Sequence, residues 1–207
     1  MLIFGLTGGI ASGKSTASRM FRALGAPVVD ADAVYHGLLQ PQDGAPSPLA
    51  ARIDEAFPGV LLPDGHVDRA RLGQQVFGDA EARRRLETLT HPQVAQGVQA
   101  ALGALAAAGR THALYDVPLL YEKNLQAAFR GVVVVWVPRE TQVARLMTRD
   151  RLDEATALTR IGAQGSLDDK RARARWVIDN TGPLTATEAQ VRRVWEEMRL
   201  EQEEGPP

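Results

Sequence analysis

One twelve-residue stretch, Gly5-Leu-Thr-Gly-Gly-Ile-Ala-Ser-Gly-Lys-Ser-Thr16, gathers glycines, hydroxyl side chains and a lysine in an order suited to holding a chain of phosphates. Gly8, Gly13, Lys14 and Ser15 match G-x-x-x-x-G-K-[ST], with an apolar run before it and a helical pattern after it, as a phosphate-binding loop requires. Glycines let the backbone of Gly8, Gly9, Ile10, Ala11, Ser12 and Gly13 curl until successive N–H groups converge on phosphate oxygens. The helix beginning near Lys14, Ser15 and Thr16 turns its positive end toward the same anion. Lys14 adds a point charge, and the Ser15 hydroxyl is suited to a magnesium ion that bridges the outer phosphates. A turn that merely caps a helix needs neither this glycine spacing nor Lys-Ser-Thr.

Other groups recur where such a loop would need them. Asp30-Ala-Asp32 ends a short apolar run, the place where open α/β sheets collect their ligands. Asp32 reads either as the N-cap of a helix beginning at Ala33 or as a carboxylate that faces a ligand. Asp116 closes another apolar run and either holds magnesium through water or simply ends a strand. Arg145 and Arg149 lie four apart on one helical face, as solvated charges or as phosphate contacts. His91, before Pro92, reads as structural or as part of a substrate-binding lobe, and not as a general base. The alternation Arg171, Arg173, Arg175 reads most simply as a charged face leading into a strand.

These groups need a scaffold, and the hydrophobic pattern supplies one. Strands are expected over 1–4, 27–30, 112–117, 131–137 and 175–179; the fourth is expected to be central, because Val132 to Val137 are all apolar with no alternation. Helical spacing links Met20, Phe21 and Leu24; Val34, Tyr35 and Leu38; Val143, Leu146 and Met147; and Val191, Val194, Trp195 and Met198. Proline and glycine turns crowd 41–68 around one short helix, Asp68 opens another, and Asp79 caps a long one that Pro92 is expected to kink or split. No strand is expected between about 31 and 111, so this segment reads as a helical insertion. Residues 151–170 are polar and read as a mobile helical flap, and the tail after about Leu200, ending Glu-Glu-Gly-Pro-Pro, as frayed. Alternating strands and helices imply an α/β fold: a five-stranded parallel sheet with helices on both faces.

Composition narrows the function. A formal net charge of −1 over 207 residues gives no whole-protein field for nucleic acid or anionic membrane. The absence of cysteine excludes disulfides, thiolate metal sites and a cysteine nucleophile, and fits a reducing compartment. The apolar N-terminal run feeds directly into the phosphate loop, so it is not expected to be a cleaved signal, and the expected location is cytoplasmic. Only three of the 24 Lys and Arg residues are Lys, so single arginines carry little evidence of a role.

Taken together, GLTGGIASGKST, VVDAD, DGHVDR, LTHP, DVPLLYE, Arg145 with Arg149, and VIDNTG resemble the bacterial dephospho-coenzyme A kinase family over nearly the whole chain and in the same order. The phosphate loop alone marks a very large superfamily; the DAD, HP and PLL(F/Y)E elements are far more selective. Ala11 stands where many members have glycine, Tyr121 where phenylalanine is common, and Pro58 interrupts a segment usually read as Phe-Gly. The resemblance implies transfer of the γ-phosphoryl group of ATP to the ribose 3′-hydroxyl of dephospho-coenzyme A, with Mg2+ as cofactor. It implies Asp32 as base; Lys14, Arg145 and Arg149 as phosphate contacts; and Asn180 and Gly182 in a loop over adenine, although Asn-Thr-Gly is also an ordinary turn. It further implies a nucleotide-binding core over 1–31, 111–139 and 171–207, a helical coenzyme A lobe over 32–110 and a lid over 140–170. No nucleic acid, membrane or obligatory protein partner is expected. A nucleoside or sugar kinase would keep the loop and change the lobe. A nucleotide switch would need a base-recognition motif such as N-K-x-D, which the sequence lacks.

Overall fold

The structure is a computed structural model that describes residues 1–202; the 203–207 tail lies outside the described residues. Its strands are β1 (Leu2–Gly8), β2 (Val28–Asp30), β3 (His112–Asp116), β4 (Val132–Trp136) and β5 (Trp176–Asp179). They form one five-stranded parallel sheet in the order β2-β3-β1-β4-β5. The middle strand is therefore β1, while β4 is interior, flanked by β1 and β5, and not the centre that its apolar run implied. The phosphate loop follows β1, with β3 as its neighbour on one side in the register Leu6↔Asp116.

Alternation within the strands explains why both sheet faces are covered. Phe4 and Leu6 of β1, Leu114 of β3, Val133 and Val135 of β4 and Trp176 and Ile178 of β5 enter one core. There they meet Ala17 and Phe21 of α1 (Lys14–Ala23) and Val191, Val194, Trp195 and Met198 of α9 (Leu184–Arg199). Val132 and Val134 point the other way, into a second core with Val117, Leu120, Tyr121 and Leu167. A strand buried on both faces shows no polar alternation, which is why β4 reads as an unbroken apolar run.

The segment 151–170, expected as a flap, holds α7 (Glu154–Gly162) and most of α8 (Leu167–Ala172). Leu167 and Lys170 are buried, so the end of this segment is anchored to the core. The three arginines leading into β5 do not form a plain charged face. Arg171 lies over the Trp136 ring at 4.1 Å, Arg173 over Tyr121 at 4.4 Å and Arg175 over Trp176 at 4.5 Å, because a guanidinium is attracted to the ring face. Tyr121 also donates its hydroxyl to the Arg173 carbonyl at 3.0 Å, a bond phenylalanine would lack.

The chain divides into two compact units, Asp30–Ala104 and the remainder. Asp30–Ala104 contains α2 (Ala31–Leu38), α3 (Pro48–Ala56), α4 (Arg69–Val76) and most of α5 (Ala80–Ala107), and, among its described residues, no strand beyond the last residue of β2. Asp30, Ser47, Asp68 and Asp79 each accept from backbone N–H groups in the first turn of the helix that follows. Its core joins Leu39, Leu49, Ile53, Phe57, Val60 and Leu72, with Leu86 and Leu89 packed against it.

One expectation fails in this unit, and one of two alternatives at Pro92 is excluded. The cap of α2 is Asp30, which accepts from the N–H groups of Asp32 and Ala33, so Asp32 is not the N-cap. The helix begins two residues earlier than its apolar pattern indicates, since helix ends are set by the capping bond and not by the stripe. Pro92 does not split α5, which runs unbroken for 28 residues. Leu86 and Leu89 are held on one side of the proline, and Val98 and Leu102 are buried on the other, so packing offsets a penalty of roughly 3 kcal/mol.

Burial separates two chemically identical substitutions. Phe21 is fully buried and Phe77 is 87% exposed. In urea unfolding, Phe21→Ala is expected to cost about 3–5 kcal/mol and Phe77→Ala to stay within about 0.5 kcal/mol of the parent. Equal costs would contradict the assignment of the β1 core.

Candidate active site

The phosphate loop begins where β1 ends. Gly13 stands at the N-cap of α1 with φ 92, a left-handed conformation that glycine adopts without strain. A Cβ there would also collide with the Asn180 amide, so space and conformation both demand glycine. No side chain caps α1, and its first turn carries no acidic residue. A Ser or Asp cap would satisfy those N–H groups internally; glycine leaves them for an anion. Ala11 is at φ 59, also left-handed, where glycine would be unstrained. Ser12 is fully buried, and its hydroxyl has no hydrogen-bond partner among the described residues.

Lys14 and Asp116 form an ion pair, with Lys14 only 18% exposed and Asp116 1% exposed. The pairing of β1 with β3 brings them together across 102 residues of chain. Asp116 thus does more than end its strand: its carboxylate holds the loop's ammonium. Ser15 is exposed at the start of α1. Ser15 and Asp116 both offer the hard oxygens that Mg2+ prefers. Among the described residues no group of three or more His, Asp or Glu could hold a metal unaided. Mg2+ bound with a nucleotide does not require one, since phosphate oxygens and water complete its shell.

Arg145, on α6 (Arg139–Asp150), donates to the Asn180 carbonyl at 2.8 Å, and its guanidinium lies 3.9 Å from where a Gly13 Cβ would stand. The structure therefore brings Arg145 to the phosphate loop. Arg149, one turn on, is paired instead with Asp150 through bonds of 2.7 and 3.1 Å, and Asp150 also accepts from Arg160 at 3.0 Å. Hydrogen bonding to Arg149 holds the Asp150 carboxyl below its ordinary value.

Asn180 is buried and fully engaged by protein. Its side chain donates to the Ser12 carbonyl at 2.9 Å and accepts from Thr187 at 2.8 Å, while its own N–H donates to the Trp136 carbonyl at 2.9 Å. It links the loop after β5 to the phosphate loop. Gly182 is exposed in that loop. Asp32 is exposed in the first turn of α2, in the helical unit. His91 is exposed on α5 beside Pro92.

Sequence reasoning missed three groups on the outer side of the loop. Gln142, 4% exposed, donates to the Ile10 carbonyl at 2.8 Å, and Gln164 accepts from the Ile10 N–H at 2.8 Å. Lys170, 2% exposed, pairs with Glu122 at 2.6 Å and donates to the Gly8 carbonyl at 3.3 Å. Burial works against ionisation of Glu122, but the Lys170 ammonium and the N–H groups of Glu122 and Gly165 outweigh it and hold the carboxyl below its ordinary value. The one available sequence signal was scarcity, Lys170 being one of three lysines in the chain.

Comparison with known proteins bears on this arrangement. The family model described as dephospho-CoA kinase matches residues 2–186. The dephospho-CoA kinase of Anaeromyxobacter dehalogenans is 47% identical over 200 residues, 96% of this chain and 93% of that protein. The Arabidopsis thaliana dephospho-CoA kinase is 44% identical over 199 residues, 96% of this chain and 84% of that protein. Among solved structures, a Thermus thermophilus protein is similar with a TM-score of 0.79 at 33% identity, covering 95% of this chain and 97% of that one. The dephospho-CoA kinase from Campylobacter jejuni gives 0.66 at 27% identity, covering 95% and 96%. A phosphate loop whose lysine, buried aspartate and arginine all stand in one unit, within a chain matched from residue 2 to 186, places this protein in the dephospho-CoA kinase family.

Proposed function

We propose that this chain transfers the γ-phosphoryl group of ATP to the ribose 3′-hydroxyl of dephospho-coenzyme A, giving coenzyme A and ADP in the last step of coenzyme A biosynthesis. The observation that carries the proposal is the family match over residues 2–186, joined to the intact phosphate loop with its Lys14–Asp116 pair. Phosphoryl transfer passes through a loose transition state with charge spread over the equatorial oxygens, so the protein contributes position and positive charge. Loop N–H groups and Lys14 supply both at the outer phosphates. Arg145 is close enough to the loop to add a third donor, and Arg149 joins by leaving Asp150. Ser15 and Asp116 would hold Mg2+, which neutralises charge on the nucleotide when bound.

Asp32 serves as the base that orients the acceptor hydroxyl and takes its proton late in the transfer. Two facts support that role: Asp30 has taken over the capping of α2, and the Asp32 carboxylate is exposed. The helical segment 32–110 is the acceptor lobe, with 140–170 as the lid that closes over ATP and excludes water. Asn180 and Gly182 supply the adenine-side loop. No helix among the described residues is long and apolar enough to cross a membrane, and the proposed location is the cytoplasm, with no obligatory protein partner.

The reaction is tested by coupled ADP release with and without dephospho-coenzyme A. Release that depends on this acceptor, and not on nucleosides or sugars, is the expected result; equal release without any acceptor would reject it. Lys14→Ala is expected to lower kcat by at least about 10²-fold. It should also cost stability, about 3 kcal/mol, because it removes the ammonium from a buried carboxylate. Lys14→Met made together with Asp116→Asn should recover the melting temperature but not turnover; a folded variant with parental kcat would overturn the loop's role. Asp32→Asn removes no cap, so its melting temperature and ATP affinity should match the parent while kcat falls ~10²–10⁴-fold. Wild-type kcat in that variant would mean that Asp32 is not the base.

A further inference from the structure

Three carbonyls of the phosphate loop are each held by a side chain from a different element. The Gly8 carbonyl accepts from Lys170 on α8 at 3.3 Å, Ile10 from Gln142 on α6 at 2.8 Å and Ser12 from Asn180 after β5 at 2.9 Å. All three donors are more than nine-tenths buried. In a planar trans peptide the C=O of one residue and the N–H of the next point in opposite directions. Holding the carbonyls of residues 8, 10 and 12 from outside therefore turns the N–H groups of Gly9, Ala11 and Gly13 to the opposite side. Between them, the Ile10 N–H is held outward by Gln164 at 2.8 Å, and the Gly9 carbonyl accepts from Ser12 at 3.1 Å. The loop thus has alternate peptide planes fixed, as a converging set of donors requires.

The fit of these donors against the glycines supports the same conclusion. A Cβ on Gly9 would lie 2.6 Å from the Gln142 amide nitrogen, and one on Gly13 would strike the Asn180 amide. The glycines admit the donors on the outer side as well as the ligand on the inner side. Burying Lys170 is costly unless its charge is used. Glu122 compensates the ammonium at 2.6 Å and itself accepts from the Gly165 N–H at 3.0 Å. Glu122 is thus the counter-charge that permits a lysine beneath the loop.

We propose that Lys170, Gln142 and Asn180 are positioning residues that set the peptide planes of the phosphate loop from outside, so that the N–H groups of Gly9, Ala11 and Gly13 face the phosphates of the nucleotide. The proposal rests on the reading of this loop as the ATP cradle. None of the three need touch the transferred group; they act through the loop backbone. Their effect belongs to phosphate binding and not to the acceptor.

The test uses the full chain and two probes, ATP and inorganic tripolyphosphate, whose binding is followed by calorimetry alongside steady-state kinetics. Gln142→Met keeps side-chain length and removes the donor. Lys170→Met is made together with Glu122→Gln so that no carboxylate is left without its counter-charge. The expected result for each is a loss of about 10- to 100-fold in affinity for both probes, with KM for ATP raised and KM for dephospho-coenzyme A unchanged. A variant with lowered melting temperature but parental affinity for both probes would overturn the proposal, because the contact would then be structural only. Equal rises in both KM values would overturn it as well, since the effect would not lie in the loop. If Gln142→Met does not fold, the Lys170 and Glu122 pair decides the matter by the same readouts. Should the parent chain bind neither probe, the cradle reading itself falls, and that outcome is separate from a parent that binds and variants that bind alike.

Discussion

An ammonium and a carboxylate, both largely withdrawn from water, meet at the carboxyl edge of the sheet, and the rest of the site is arranged around them. Asp116 is 1% exposed, so its carboxylate meets the Lys14 ammonium in a medium that screens poorly. The pair forms only because β1 and β3 are neighbours in the register Leu6↔Asp116, which sets the end of one strand beside the loop that follows the other. That register rests in turn on Phe4 and Leu6 pointing into the core formed with α1 and α9. A shift of one residue would send these side chains to the opposite face and separate the charges. Core packing and active-site electrostatics are thus one constraint at this edge.

The legible parts of the chain are those whose chemistry is local. The phosphate loop declares itself because its glycines, lysine and serine are consecutive, and β4 because two buried faces leave an unbroken apolar run. Capping aspartates at 68 and 79 were readable for the same reason, since a cap acts on N–H groups two and three residues ahead. At Asp30-Ala-Asp32 that rule offered two carboxylates, and the apolar stripe beginning near Val34 favoured the later one. The helix takes the earlier, which leaves Asp32 available for other work.

What sequence could not supply is contact between distant segments. Gln142 and Ile10 are 132 positions apart, Lys170 and Gly8 162, and Asn180 and Ser12 168. Lys170 stands in Asp168-Asp-Lys-Arg-Ala-Arg173, where each charge looks solvated, yet its neighbour Leu167 is buried and the first turn of α8 carries the chain inward. The same segment hid a second pattern. Arginines at 171, 173 and 175 found aromatic rings on β4, on β5 and at Tyr121, partners that no local spacing identifies.

Ala11 shows how these long-range bonds alter the cost of a local choice. At φ 59 an alanine gives up roughly 1–2 kcal/mol relative to an ordinary conformation, and glycine would not. Such a residue persists only when its surroundings over-determine it. Ile10 before it is held at both its carbonyl, by Gln142, and its N–H, by Gln164. Ser12 after it is held at its N–H by Gly9 and at its carbonyl by Asn180. With both neighbouring residues fixed, the dihedral angles of Ala11 have nowhere else to go, and the left-handed turn follows from its neighbours' bonds instead of its own preference. A glycine here would reach the turn through backbone freedom; in this chain the same curvature is reached by external restraint.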